Sequence, residues 1–341
     1  MKNMNKIKYL HIFTARRRLL AAGAAMPVLA WTRAVHAQAK PPKVPRIGVL
    51  YALSASRATA NIEPLRAGLR DFGYVEGKNI AFELRFADGK YERLNELAAE
   101  LVRLKVDVIV TQGTPGALAA KQATTTIPIV MVSSGDPVAS GLVSSLARPG
   151  GNVTGFSIFG PEVTAKRLEL LKEAVPRIRR VAYLTNPDNP SVTDMKELAL
   201  AAKSLKLELQ QFEVRGPEEF DNAFSEMSKR RIDAVLVDDD GMLIANAKGA
   251  ADITAKRRLP SAGTTPLAEA GGLIGYGTAN ILDNWRRAAT VVDKILKGAK
   301  PADLPIERTT IFDLVINNKT AKALGITIPQ TILVRATRVI E

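Results

Sequence analysis

Arg46-Ile47-Gly48-Val49-Leu50 is echoed by Arg180-Val181-Ala182-Tyr183-Leu184, and Val106-Asp107-Val108-Ile109-Val110 by Ile232-Asp233-Ala234-Val235-Leu236. Pro128, ahead of a fourth apolar run, is echoed by Pro260, and each pair lies roughly 130 residues apart. A near-constant offset between short β-branched runs marks two copies of one βα unit. Working outward from the first copy, Ile47 to Tyr51 predicts a strand. Ile62, Leu65, Leu69 and Phe72 then define one face of a helix that Gly73 stops. Ile80-Ala81-Phe82-Glu83-Leu84-Arg85-Phe86 alternates strictly, which predicts a strand near a sheet edge. Leu94, Leu97, Leu101 and Leu104 predict a second helix, and Val108 to Val110 and Ile129 to Val132 the third and fourth strands. Val153 to Phe156 begins a crossing to the second copy. Strands alternating with helical patterns predict an α/β chain with two lobes of parallel sheet covered by helices. Such lobes present their loops at the carboxyl ends of the strands, so a ligand belongs in the cleft between them. Later, Ile281, Trp285, Ala288, Val292, Ile295 and Leu296 predict one more amphipathic helix, ended by Gly298 and Pro301. Phe312 to Ile316 predicts a late strand.

Residues 1–37 read as an export signal: Arg16-Arg17-Arg18, an apolar run from Leu19 to Trp31, then Val35-His36-Ala37 with small residues suited to a signal peptidase. The run is shorter than the roughly 20 apolar residues that span a bilayer. The arginine pairing followed by Leu19-Leu20 resembles a twin-arginine signal, although Ala15 stands where Ser or Thr usually precedes the pair. Removing this segment leaves enough chain for two ordinary domains with real cores. It also removes Lys2, Lys6, Lys8, Arg16, Arg17, Arg18 and Arg33 with no acid, so the net charge falls from +14 to +7. The remaining basic residues are dispersed and aromatics are few, so no nucleic-acid footprint stands out. Cysteine is absent, which excludes disulfides, a thiolate nucleophile and a lipid-anchoring cysteine. The two histidines, His11 and His36, both fall within the signal. The processed chain therefore lacks the means for Ser-His-Asp or Cys-His catalysis and for histidine-ligated zinc. No cofactor or metal is expected, and the product is expected to be a free periplasmic monomer.

Four stretches carry a family likeness: Phe72-Gly73-Tyr74-Val75-Glu76-Gly77-Lys78-Asn79-Ile80; Leu97-Ala98-Ala99-Glu100-Leu101-Val102; Ser145-Leu146-Ala147-Arg148-Pro149-Gly150-Gly151-Asn152-Val153-Thr154-Gly155; and Lys166-Arg167-Leu168-Glu169-Leu170-Leu171-Lys172. They resemble the ABC-transporter substrate-binding family often labelled tryptophan or aromatic-amino-acid type. The similarity continues through Val292-Asp293-Lys294-Ile295-Leu296-Lys297-Gly298 to Lys322-Ala323-Leu324-Gly325-Ile326. The resemblance implies a type I periplasmic binding fold, two Rossmann-like lobes joined by a multi-strand hinge, closing on a small solute that passes to a membrane permease. It further implies discontinuous lobes, 44–156 with 281–307 and 157–280 with 308–341.

Candidate ligand contacts cluster after the strands. Gln112-Gly113-Thr114-Pro115 opens a helix, so backbone N–H groups and the Thr114 hydroxyl are positioned to meet a carboxylate. Alternatively Thr114 caps its own helix, with Pro115 in the first turn. The resemblance puts Ser133-Ser134-Gly135-Asp136-Pro137 at the cleft mouth. There Asp136 is positioned either to accept from a ligand ammonium or to start a turn. In the second copy, Asn186-Pro187-Asp188-Asn189-Pro190 and Asp238-Asp239-Asp240-Gly241 end the matching strands. The three acids lack EF-hand spacing; Asp240 suits a helix start, and Asp238, first after the strand, suits gripping a cation on the solute. Tyr51 and Tyr276 are candidate aromatic walls, with hinge or core packing as the other reading.

The leading function is capture without chemistry, in which a solute bridges two lobes and a permease reads the closed state. A Rossmann-type enzyme would show G-x-G-x-x-G after the first strand or a G-x-x-x-x-G-K-[ST] loop. Neither occurs, and only carboxylate or lysine catalysis remains open. A ligand-sensing receptor without a transport role shares the fold. A repressor would carry a DNA-reading helix pair where this chain has its signal.

Overall fold

The computed structural model describes residues 43–158, 161–190, 195–279 and 281–341. Residues 1–37, read from the sequence as an export signal, and Pro41 and Pro42 lie outside these residues. The first half runs β1 (Arg46–Tyr51), α1 (Ala55–Asp71), β2 (Ala81–Phe86), α2 (Leu94–Arg103), β3 (Val108–Gln112), α3 (Thr114–Ala123), β4 (Ile129–Ser133) and β5 (Val153–Ser157). The second runs α4 (Pro161–Ala174), β6 (Arg180–Thr185), α5 (Met195–Ser204), β7 (Glu208–Glu213), α6 (Phe220–Lys229) and β8 (Ala234–Val237). It continues through α7 (Gly241–Ala245), α8 (Ala247–Lys256), β9 (Ser261–Gly263), α9 (Thr265–Glu269) and β10 (Ile274–Thr278). The tail adds α10 (Ile281–Leu296), β11 (Glu307–Arg308), β12 (Phe312–Asn317), α11 (Asn318–Leu324), α12 (Gln330–Leu333) and β13 (Arg338–Ile340).

Two sheets result, ordered β11-β5-β4-β3-β1-β2 and β13-β12-β10-β9-β8-β6-β7. Every strand pair is parallel except β10 with β12. The repeat seen in the sequence is a repeat of register: Ile47 faces Phe82 and Val108, as Val181 faces Leu209 and Ala234. Its Arg and Asp residues are joinery. Asp107 donates its backbone N–H to the Arg46 carbonyl and accepts the Arg46 N–H on Oδ2 (2.8 Å). Asp233 does the same for Arg180 (2.8 Å). Ahead of each Asp the helix ends on a residue of positive φ, Lys105 (52°) and Arg231 (54°), which reverses the chain into the strand. An Asp at this turn ties the strand start to its neighbour, so both copies keep it.

Each sheet is a middle layer between helices. Val49, Val110 and Val130 of the first sheet pack under α1 and α10, while Leu50, Ile109 and Met131 face α2 and α3. In the second, Val181, Tyr183 and Leu236 face α4 and α5, while Leu184, Val235 and Val237 face α6 and α8. Central strands are apolar on both faces for this reason, whereas the alternating β2 is an edge strand with every residue half-buried. Phe72 departs from the expected helix face: it lies past the end of α1, 41% exposed, with the Lys297 ammonium over its ring. The chain passes between the sheets after β5, after β10 and after β11. At these crossings Thr309 N–H donates to the Ser157 carbonyl (2.9 Å) and Ala279 N–H to that of Ile311 (3.0 Å). Among the described residues no helix is long and apolar enough to cross a membrane.

Candidate functional site

In both halves the strand order 2-1-3-4-5 reverses direction beside the first strand, between β1 and β3 and again between β6 and β8. The loops that leave these strands part there. Their carboxyl ends face each other across a cavity of about 100 Å³. Tyr51, Thr114 and Pro115 line it from the first half, and Asp238 and Asp239 from the second. A neighbouring cavity of about 350 Å³ shares Tyr51, Gln112 and Asp239 and extends to Thr265 and Gly277.

Tyr51 is buried at the end of β1, its hydroxyl accepting from Asn61 Nδ2, and burial pushes its phenol above the ordinary value. Its ring lies 5.9 Å from that of Trp285, at 54°. Trp285 is wholly buried on α10 and donates Nε1–H to Gln112 Oε1 (2.8 Å), which holds the Gln112 amide at the cavity wall. Thr114 does not cap its own helix. The N-cap is Gly113, and the Thr114 hydroxyl lies 3.1 Å from Ser134 Oγ and accepts the Gly135 N–H (3.3 Å), tying β3 to the loop after β4. Gly113 N–H goes to the Ser133 carbonyl (2.7 Å), and Pro115 has none to give. The start of α3 therefore offers an anion fewer donors than its sequence pattern suggests.

The three successive carboxylates face three ways. Asp238, buried, accepts from the Tyr183 hydroxyl on Oδ1 (2.5 Å). Burial, with Asp239 and Asp240 close by, raises its pKa from 3.8 to about 6. Asp239 accepts from Arg167 Nη2 (3.1 Å). Asp240 caps α7 as expected, Oδ1 accepting the Leu243 N–H (2.9 Å). Its Oδ2 accepts from Tyr91 Oη (2.8 Å), a residue of the short 3₁₀ turn between β2 and α2. Burial first, then the Asp240 charge, pushes the Tyr91 phenol well above the usual tyrosine value. With the Arg57 guanidinium donating to the Ala245 carbonyl, this bond joins the two halves across the cavity. Tyr91 also lines an outer groove of about 700 Å³, so its ring is the partition between cavity and groove. The partition needs Gly241: a Cβ there would come within 2.9 Å of the Tyr91 hydroxyl.

Of the residues singled out by sequence, Tyr51, Thr114, Pro115 and Asp238 come together on the cavity. Asp136 does not line it; its Oδ1 accepts the Val138 and Ala139 N–H groups (2.8 and 3.0 Å), the turn-starting arrangement. Asn186 lines the outer groove, donating to Asp240 Oδ2 (3.4 Å) and accepting the Asp188 N–H (3.0 Å). Tyr276 stacks on Phe312, centroids 5.6 Å apart, in the packing role. Tyr91, Asp239 and Arg167 were not singled out. Among the described residues no group of acids is placed to hold a metal ion.

Residues 46–340 match the family described as ABC transporter substrate binding protein. A tyrosine-binding protein of Clostridioides difficile is 28% identical over 257 residues, 75% of this chain and 74% of its own length. The crystal structure of a conserved domain protein from Vibrio cholerae is 30% identical. It superposes with a TM-score of 0.81, covering 87% of this chain and 100% of its own. An ABC domain from Streptococcus pneumonia in complex with L-Trp is 28% identical, with a TM-score of 0.79 over 87% of this chain and 99% of its own.

Proposed function

This chain belongs to the ABC transporter substrate-binding protein family, and we propose that it is the exported, monomeric solute-binding component of an importer, closing on an aromatic amino acid. The carrying observation is the chemistry of the closed cavity: two carboxylates, Asp238 and Asp239, on one wall and the rings of Tyr51 and Tyr91 on the other. A buried acidic wall disfavours a solute bearing only a carboxylate and favours one that brings an ammonium. Tyrosine rings supply apolar area for a flat side chain. The names of two relatives, one tyrosine-binding and one holding L-Trp, support the same solute class.

In this reading Tyr51, Thr114, Pro115, Tyr91, Asp238 and Asp239 surround the solute, while Asp136, Asn186 and Tyr276 support the loops around it. The lobes comprise 44–156 with 281–307 and 157–280 with 308–341. Export delivers the protein to the periplasm by a twin-arginine-like signal, and an inner-membrane permease reads the closed state. No catalytic step is assigned. The test is a melting-shift panel of amino acids and aromatic carboxylates on protein stripped of carried-over ligand. Stabilisation by tyrosine, tryptophan or phenylalanine and not by benzoate is the expected result. Stabilisation by benzoate alone, or turnover of any of them, would sink the reading.

Closure has its own test. Tyr91→Phe keeps the partition and removes its bond to Asp240. We expect solute to leave about tenfold faster, because a hydrogen bond to a charged group contributes about 1.5–3 kcal/mol. Stopped-flow displacement measures this directly, and an unchanged off-rate would show that the bond does not hold the closed state.

A further inference from the structure

Arg167, on α4, is wholly buried. Its Nε donates to the Tyr276 carbonyl (2.6 Å) and its Nη2 to Asp239 Oδ2 (3.1 Å), yet Nη1 is buried with no hydrogen-bond partner among the described residues. A buried guanidinium normally spends all its donors, and an idle one carries a desolvation penalty that a partner removes. The other terminal nitrogen of this guanidinium, Nη2, faces Gly277, on the wall of the larger cavity. A Cβ built on Gly277 would meet two atoms within 4 Å, Arg167 Nη2 at 3.3 Å and the Thr265 backbone nitrogen at 4.0 Å. The missing side chain thus leaves a one-atom gap against a buried cation, and both atoms bordering it are nitrogens.

We propose that Arg167 and the gap at Gly277 form the subsite for the carboxylate of the bound amino acid, an assignment that rests on the amino-acid reading above. An α-amino acid carries its two charges on one carbon, so it needs an anion and a cation side by side. Asp239 and Arg167 are such a pair, and Asp239 lines both cavities. A carboxylate oxygen in the gap takes the guanidinium, and the ammonium beside it faces Asp239 and Asp238. The start of α3, the other place for a carboxylate, has its hydroxyl and its glycine N–H already engaged.

The experiment pairs an edit in the ligand with an edit in the protein. Calorimetric affinities are measured for L-tyrosine and L-tryptophan and for tyramine and tryptamine, which lack the carboxylate. The proteins are wild type, Gly277→Ala and Arg167→Gln. Wild type should prefer each amino acid over its amine by about 10- to 100-fold, the range of a charged hydrogen bond. Gly277→Ala, whose added methyl fills the gap 3.3 Å from Nη2 and keeps the charge of Arg167, should erase most of that preference by weakening only the amino acids. Arg167→Gln should do the same. If its buried position prevents folding, Gly277→Ala decides alone. A preference that survives the Gly277→Ala change intact overturns the subsite and leaves the amino-acid reading standing. Wild type that binds neither amino acid overturns both.

Discussion

Asp238→Asn is expected to abolish solute capture at neutral pH while making the empty protein more stable. The carboxylate is buried and accepts from Tyr183, and burial raises its pKa from 3.8 to about 6. Its native pKa lies above the unfolded value, so the folded state binds the proton more tightly. Stability therefore falls as pH rises from about 4 to about 6, and the full cost, about 3 kcal/mol, is present above that window. Asparagine keeps an acceptor for Tyr183 and removes the charge, so the variant should unfold at higher urea concentration at pH 8 and lose this dependence. Solute binding should move the other way. An ammonium beside Asp238 competes with the proton, so wild-type affinity should weaken as pH falls through about 6, about tenfold per unit well below it. The variant should bind at least about a hundredfold more weakly at pH 7.5, with a flat pH profile. Calorimetry and urea titrations across pH 4 to 8 check both halves. A variant that binds normally would remove Asp238 from the site, and one no more stable at pH 8 would show that the carboxylate is not held in strain.

Trp285→Ala should carry the largest stability penalty of any single change near the cavity, about 3–5 kcal/mol. The ring is wholly buried, against Tyr51 of β1 and Gln112 of β3, and its deletion also leaves Gln112 without its indole donor. Trp285→Phe should cost less, since it fills most of the volume and loses the hydrogen bond alone. The double effect gives this prediction a functional arm. Tyr51, which leans on Trp285, should lose its fixed position, so residual solute binding in Trp285→Ala should be weaker even where the protein is still folded. Urea unfolding gives the first number and calorimetry at low temperature the second. Equal stabilities for the alanine and phenylalanine variants would contradict the packing argument.

The fold was legible because it is written in local patterns. Strand starts repeat with their Arg and Asp joinery, and central strands read as unbroken apolar runs because both of their faces are covered. Asp238 was legible for a related reason: the first polar residue after a central strand has to stand where the loops part. Arg167 and Tyr91 were not. Arg167 reads as one more basic residue on an amphipathic helix, and only the Tyr276 carbonyl and Asp239, distant in sequence, bring it inside. Tyr91 sits in a short turn that no periodicity marks, and its meaning depends on Asp240 in the other half. Asp136 carried both readings in its Asp-Pro sequence. The turn takes its carboxylate because the Val138 and Ala139 N–H groups are within immediate reach.

The discontinuous covering of the first sheet governs how this chain can be made. Its β1, β3 and β4 emerge early from the ribosome, but α10, which shields Val110, Val130 and Leu65, is among the last segments synthesised. Until then an apolar face stays open on a nascent chain, and the second sheet likewise waits for β12 and β13. Neither half can mature ahead of the other, so a chain stopped near residue 280 should be prey to proteases and aggregation, not a stable half-molecule. If the chain is exported as proposed above, the cell must either hold the whole of it unfolded or let it finish before it leaves.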